Sequence, residues 1–316
     1  MRIQKKRMKE VAAENNYVPN PIAVNLRSKK SATIAVIVPR ISNSFFARIL
    51  AGIEDEAQRQ GMQIITYNSN ESLEREKQIA TLLSSGFVDG IMVAFSEETQ
   101  QKRDFVHLLN LSVLGIPLVL FDRTQLEIPV DKIGIDDEQS IYNATEYLIK
   151  KGVTKIALAS SIQDLEIGRL RIEGYKQAIK NENDILIVGS LNEEILRVQV
   201  KKILLEEEVE ALICTDFEST MMCYRLSYEC KIDIPQELKL IGFLNEQIAS
   251  LLAPSISYIE QFPEEMGKKG FQLLLDRIRK PSINGDFKEE RISTELIHLE
   301  STRFNTDCTY KSVIVL

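Results

Sequence analysis

From Thr33 onward the chain alternates between two patterns: short runs of β-branched and aliphatic residues, and longer segments whose apolar positions recur every three to four residues. Thr33–Val38 (TIAVIV) predicts a strand. Residues 45–61 place Phe46, Ile49, Leu50, Ile53 and Ala57 on one face and end at Gly61, which predicts a helix with its C-cap. The same reading predicts strands at 62–67, 88–94, 117–121, 132–135, 154–160, 185–189, 210–214 and 238–243. It predicts helices at 74–85, 100–113, 137–151, 168–182, 193–207 and 218–230.

Strands of uninterrupted Ile, Val and Leu between amphipathic helices are buried on both faces, so the fold class is α/β with parallel sheets. About ten such strands exceed what one open, twisted sheet usually holds. Two doubly wound parallel-sheet subdomains side by side fit better. Ligands of such sheets sit at the carboxyl ends of the strands, which places a site in the cleft between the subdomains.

Residues 1–30 break the pattern. A basic helix read to about Asn15 is stopped by Asn16-Tyr17-Val18-Pro19-Asn20-Pro21. Asn20 is suited to cap a second, very short helix that has Pro21 in its first turn and runs through Ile22–Leu26. The segment holds eight Lys and Arg against Glu10 and Glu14, a balance of +6; with −7 on the whole chain, the rest carries −13. A basic arm on an acidic body points to contact with a polyanion by the arm alone. No apolar run of signal-peptide type follows the arm, and no run spans a bilayer, so a cytoplasmic protein without membrane contact is expected.

Little in the chain suggests catalysis. Phosphate-loop, dinucleotide-loop and nucleophile-elbow patterns are absent, and the two histidines, His107 and His298, have no neighbouring Cys or His. Cys214, Cys223, Cys230 and Cys308 form no C-x-x-C pair and read as buried thiols. Asp136-Asp137 opens a helix, where the macrodipole favours acids. We expect no enzyme, no metal and no cofactor.

In order along the chain, a set of short motifs resembles the lactose-repressor (LacI/GalR) family of transcription regulators. Residues 16–27 are similar to its N-Y-x-P-N-x-x-A-x-x-L-R, the end of the DNA-binding headpiece and the hinge helix. Asn43-Ser44-Phe45-Phe46, Val88-Asp89-Gly90-Ile91, Phe121-Asp122-Arg123, Arg171-Ile172-Glu173-Gly174-Tyr175, Ile241-Gly242-Phe243 and the stretch from Pro254 to Gln261 follow at the family's intervals. The resemblance runs from residue 2 to about 303.

The resemblance implies a periplasmic-binding-protein-like fold and a dimer that binds operator DNA. A small-molecule effector is implied in the cleft: a sugar, sugar phosphate or sugar acid. Residues 1–30 become a partial headpiece and hinge, and 31–316 the effector and dimerisation domain. Its N-subdomain is expected at about 31–159 plus 260–288, and its C-subdomain at about 160–259 plus 289–316. The first part of the helix-turn-helix is not in the chain, so the residues present are expected to bind DNA weakly and without base selectivity. Arg2, Lys5, Lys6, Asn20, Ala23, Leu26 and Arg27 are the DNA-contact candidates, Leu26 as a wedge between base steps. Asn43, Phe45, Phe46, Asp122, Arg171, Asp216, Asn245 and Gln261 are the effector-site candidates. Leu244 stands where the family often has Asp. With Arg123 and Arg171 as free cations, its loss of an acid predicts an anionic or less hydroxylated effector. A sugar-binding protein of the same fold without DNA-binding activity is the alternative.

Overall fold

The structure, a computed structural model, describes residues 31–124, 128–280 and 286–304. The DNA-contact candidates Arg2, Lys5, Lys6, Asn20, Ala23, Leu26 and Arg27 and the thiol Cys308 lie outside those residues.

Two six-stranded sheets form the body. The first contains β1 (Thr33–Val38), β2 (Gln63–Asn68), β3 (Gly90–Val93), β4 (Leu118–Phe121), β5 (Asp131–Ile135) and β11 (Glu289–Ile292), in the order β11-β5-β4-β3-β1-β2. The second contains β6 (Ile156–Ser160), β7 (Leu186–Gly189), β8 (Ala211–Cys214), β9 (Lys239–Gly242), β10 (Ser257–Glu260) and β12 (Glu295–Ile297), in the order β12-β10-β9-β8-β6-β7. Pairing is parallel throughout except between β10 and β12. Each sheet reverses its strand order beside its first strand, β1 or β6. The carboxyl ends next to that reversal leave a crevice, and the two crevices supply the two walls of one cleft.

The subdomain boundaries differ from those expected. The strand Ile156–Ser160 belongs to the second sheet, not to a first unit running to 159. The helix before it, α5 (Asp137–Lys150), packs on α6 (Glu166–Ala178) of that same unit. The strand Glu289–Ile292 pairs with β5 of the first sheet rather than falling in a second unit that starts at 289. The chain crosses between the sheets three times, and the strand-helix rhythm continues through the first two, so the pattern there carries no mark of which sheet a strand joins. The single helix expected at 100–113 is two, α3 (Glu97–Lys102) and α4 (Val106–Val113), separated at Arg103 with φ 49°.

Close packing seats the returning helix on the first subdomain. In α1 (Ser44–Arg59), Gly52 lies so near α10 (Pro263–Arg279) that a Cβ there would stand 2.1 Å from the Glu264 carbonyl oxygen. Gly267 returns the contact at 2.2 Å from the Ile49 carbonyl oxygen. These glycines let α10, the helix that follows the second crossing, seat on α1 of the first subdomain. Cys214 and Cys223 are buried and Cys230 half-buried, all three as free thiols.

One buried carboxylate fastens the first subdomain beneath the cleft. Glu76 on α2 (Leu73–Leu83) is fully buried and accepts from the Thr99 hydroxyl at 2.5 Å and from the Ser96 amide. His107 Nε2 lies 3.2 Å from it. Removal of the carboxylate leaves two buried donors and an imidazole without their partner. Each unsatisfied buried donor costs about 1–3 kcal/mol, so Glu76→Ala should lower the unfolding free energy by at least about 2 kcal/mol. A urea midpoint unchanged from the parent would show that these donors find other acceptors.

Candidate functional site

The strand ends converge on a cleft of about 680 Å³. All eight effector-site candidates line it: Asn43, Phe45, Phe46, Asp122, Arg171, Asp216, Asn245 and Gln261. Their side chains differ in what they have left to offer a ligand.

Three of them serve mainly as caps. Asn43 Oδ1 accepts from the Phe45 amide at 2.9 Å and starts α1. Asp216 starts α8 (Phe217–Glu229) by accepting from the Ser219 amide at 2.8 Å. Its oxygens also accept from the Ser161 amide at 2.9 Å, the Ser161 hydroxyl at 2.6 Å and the Thr215 hydroxyl at 2.8 Å. Two donors on each oxygen leave Asp216 little capacity for a ligand. Asn245 accepts from the Ile248 amide at 2.8 Å to start α9 (Glu246–Leu251). Its Nδ2 donates to Ser44 Oγ at 3.1 Å, a bond that spans the two subdomains.

Arg171, on α6, is buried and enclosed. Its Nε donates to Asp137 Oδ1 at 2.7 Å, one terminal nitrogen donates to the Thr215 carbonyl, and the other to Gln261 Oε1 at 3.2 Å. Its guanidinium carbon lies 3.7 Å from the centre of the Phe243 ring. Burial holds the Asp137 carboxyl above the usual aspartate range, against the pull of Arg171. Asp137, read from sequence as a helix-start acid, is therefore also the counter-ion of Arg171. Tyr175, one turn further on, is structural: its hydroxyl donates to the Ile156 carbonyl at 2.7 Å and accepts from the Leu186 amide at 3.1 Å.

The neighbouring pair behaves differently. Arg123 donates to Glu71 at 2.9 and 3.1 Å and to the Phe95 carbonyl at 2.5 Å. Its Nε, by contrast, is buried without a hydrogen-bond partner. Asp122, at φ 67°, turns the chain out of β4 and carries a carboxylate that is 7% exposed. Aspartate tolerates this left-handed region better than most residues. Among the described residues none donates a hydrogen bond to that carboxylate, and Arg123 Nε lies 3.8 Å away. Burial pushes its pKa up to about 7, opposed by Arg123 and reinforced by Asp137.

The expectation of an anionic or less hydroxylated effector rested on Leu244 in place of an acid and on Arg123 and Arg171 as cationic donors. The structure neutralises both, with Glu71 and Asp137. Phe46, an effector-site candidate, is 3% exposed and packs edge-on against Phe121 at 6.4 Å, which leaves its face little access to a ligand. The half-buried Phe45 is the ring that opens on the cleft. Leu244 is 7% exposed and packs into the core of the second subdomain, so no polar group is lost to solvent there.

Glu71, Glu97, Arg48 and Glu218 also line the cleft and were not anticipated. Glu218 follows the Asp216 cap in the first turn of α8, a position legible once β8 is placed; its side chain is exposed to the cleft, whose enclosing walls, with Asp216, raise its pKa. Arg48 joins Glu264 at 2.7 Å and Glu260 at 3.4 Å, and nothing local in sequence links residues so far apart. Among the described residues no group of three or more His, Cys, Asp and Glu side chains is placed to hold a metal ion, and no helix is long and apolar enough to cross a membrane.

Comparisons with known proteins converge on one family. A family profile described as a periplasmic binding protein-like domain matches residues 145–302. The HTH-type transcriptional repressor PurR of Vibrio atlanticus (strain LGP32) is 30% identical over 274 residues, which cover 84% of this chain and 80% of that protein. PurR of Vibrio vulnificus (strain CMCP6) is 30% identical over 284 residues, covering 87% and 83%. Among solved structures, a LacI family transcriptional regulator from Enterococcus faecium with bound ribose superposes with TM-score 0.73 at 26% identity, over 85% of this chain and 98% of that one. The transcription regulator CcpA of Lactococcus lactis shares the fold, with TM-score 0.74 at 22% identity over 86% and 99%. On the strength of these matches and of the two-sheet fold with its cleft, the chain belongs to the LacI family of transcription regulators.

Proposed function

We propose that this chain is a DNA-binding transcription regulator, a repressor of metabolic genes, which works as a homodimer and is switched by a small molecule held between its subdomains. The observation that carries the effector half of this reading is the Asp122 carboxylate, which lines the cleft and receives no hydrogen bond from the described residues. A carboxylate that faces a cleft with no protein donor on it has its lone pairs free to accept from a ligand. Family membership and the basic segment 1–30 support the DNA half.

The test uses the protein expressed from its own locus with a C-terminal epitope tag, so that any coding sequence upstream of residue 1 that supplies a full helix-turn-helix is included. Chromatin immunoprecipitation should recover a small set of discrete sites that share a two-fold symmetric sequence, as a dimer requires. Deletion of residues 1–30 should remove them. Recovery of DNA without discrete sites would leave the alternative, a ligand-binding protein that does not regulate.

Leu26→Ala gives a finer prediction. An apolar wedge acts only where the duplex is kinked. In a protein with a complete headpiece, the variant should lose more affinity for a recovered site than for random-sequence DNA and bend the site less, in anisotropy and circular-permutation gels. Equal losses on both DNAs would reduce Leu26 to a linker residue.

A further inference from the structure

We propose that Gln100 is a positioning residue: it clamps the two subdomains by capping a helix of the opposite one, so that opening of the cleft also frees the first turn of α6.

Among the described residues, the α-helices of the second subdomain open on caps of their own, α6 excepted. Asp136, Asn192, Asp216 and Asn245 each accept from a first-turn amide of α5, α7 (Glu193–Glu206), α8 and α9 respectively. By contrast, α6 opens on Leu165, whose side chain can accept nothing. The first amides of a helix have no partner within it and need an outside acceptor. For the Glu166 amide, at the start of α6, that acceptor is Gln100 Oε1 at 3.4 Å. Gln100 stands on α3 of the first subdomain, so this cap comes from across the cleft.

The glutamine gains little at home. It is 9% exposed, and among the described residues its Nε2 finds no hydrogen-bond partner. An unpaired buried amide is a cost to α3 itself. The side chain's gain lies in the bond to the opposite wall.

A second bond joins the walls elsewhere. Asn245 Nδ2, at the start of α9, donates to the hydroxyl of Ser44, the first residue of α1, at 3.1 Å. The two bonds share no residue and no element; what they share is the closed arrangement of the walls. The subdomains are joined by short connecting segments at the three crossings, which is what a hinge needs. Rotation about those segments breaks both bonds together. Leu165 and Ile167, at the start of α6, line the cleft. Opening and the release of this part of the wall are therefore one event.

Hydrogen–deuterium exchange of the purified full chain, read by mass spectrometry, tests this with two variants. Ser44→Ala removes the acceptor of the Asn245 bond, touches no part of α6 and leaves the Asn43 and Asn245 caps in place. Gln100→Met keeps the volume and removes the clamp. Loss of one hydrogen bond shifts such an equilibrium by about twofold to tenfold. Exchange of the amides at residues 166–168 follows the open population, so Ser44→Ala should speed it by that factor. Gln100→Met should speed it at least as much, and the double variant by about the product of the two. Exchange in β1 and β6 should keep the parent's rate in all three. Unchanged exchange at 166–168 in Ser44→Ala overturns the coupling, and unchanged exchange there in Gln100→Met overturns the clamp. A rise that β1 and β6 share is a general loosening of the fold and overturns both.

Discussion

Arg171→Leu should be among the most damaging single substitutions in the body, with a loss of about 3–5 kcal/mol in unfolding free energy. The guanidinium joins four parts of the chain: Asp137 at the start of α5, the Thr215 carbonyl at the end of β8, Gln261 after β10, and the Phe243 ring after β9. Leucine fills part of the volume but leaves Asp137 buried without its counter-ion, together with an unsatisfied carbonyl. The Asp137 carboxyl already sits above its usual range with Arg171 present, so without it the group must take up a proton or drag in water. The double variant Arg171→Leu/Asp137→Leu removes both charges and should recover most of the loss, because a buried ion pair exchanged for apolar groups is often neutral. Chemical denaturation of the two single variants and the double variant gives the coupling directly. If the double variant is as unstable as Arg171→Leu alone, the guanidinium matters for the Thr215 carbonyl and Gln261, not for the ion pair.

That ion pair also shows where sequence reading stops. Strand runs such as TIAVIV and helix faces such as Phe46, Ile49 and Ile53 declare themselves locally, because burial on both faces or on one stripe leaves its period in the chain. Two sheets followed from the number of strands. The lining residues followed too, since Asn43, Asp122, Asp216, Asn245 and Gln261 all stand just after strand ends. What could not be read is which polar groups satisfy one another. Asp137 stands 34 positions before Arg171, and Arg48 stands 216 positions before Glu264. Pairs of this kind decide whether an arginine in a cleft is a free cation or a neutralised strut. The two arginines behind the expectation of an anionic effector are paired for this reason. The crossing at Asp137 was misplaced for a related reason. A strand's apolar run records that it is buried, and the record is the same in either sheet.

Asp122→Asn should raise the stability of the ligand-free protein and weaken its hold on the effector, both in a pH-dependent way. In the fold this carboxyl titrates near 7, whereas an unfolded aspartate titrates near its ordinary 3.8. The folded state therefore holds a proton between these values that the unfolded state has released. Stability from this group is fully present below about pH 4 and is lost as pH rises to about 7, at up to about 1.4 kcal/mol per pH unit. Asparagine has no charge to desolvate. The melting temperatures of parent and variant should thus agree near pH 4 and separate progressively to pH 8, with the variant higher. Effector binding has the opposite sense. A hydroxyl donates most strongly to the ionised carboxylate, at about 1.5–3 kcal/mol for a charge-assisted bond. In the parent, affinity should fall up to tenfold per pH unit below about 7 and level off above it. In Asp122→Asn it should be about tenfold to hundredfold weaker at pH 8 and insensitive to pH. Titrations of the tightest ligand found, between pH 5.5 and 8.5, measure both slopes. A parent protein whose affinity is flat over that interval would remove Asp122 from the binding site, and a variant no more stable than the parent at pH 8 would mean that the carboxylate already has its donor.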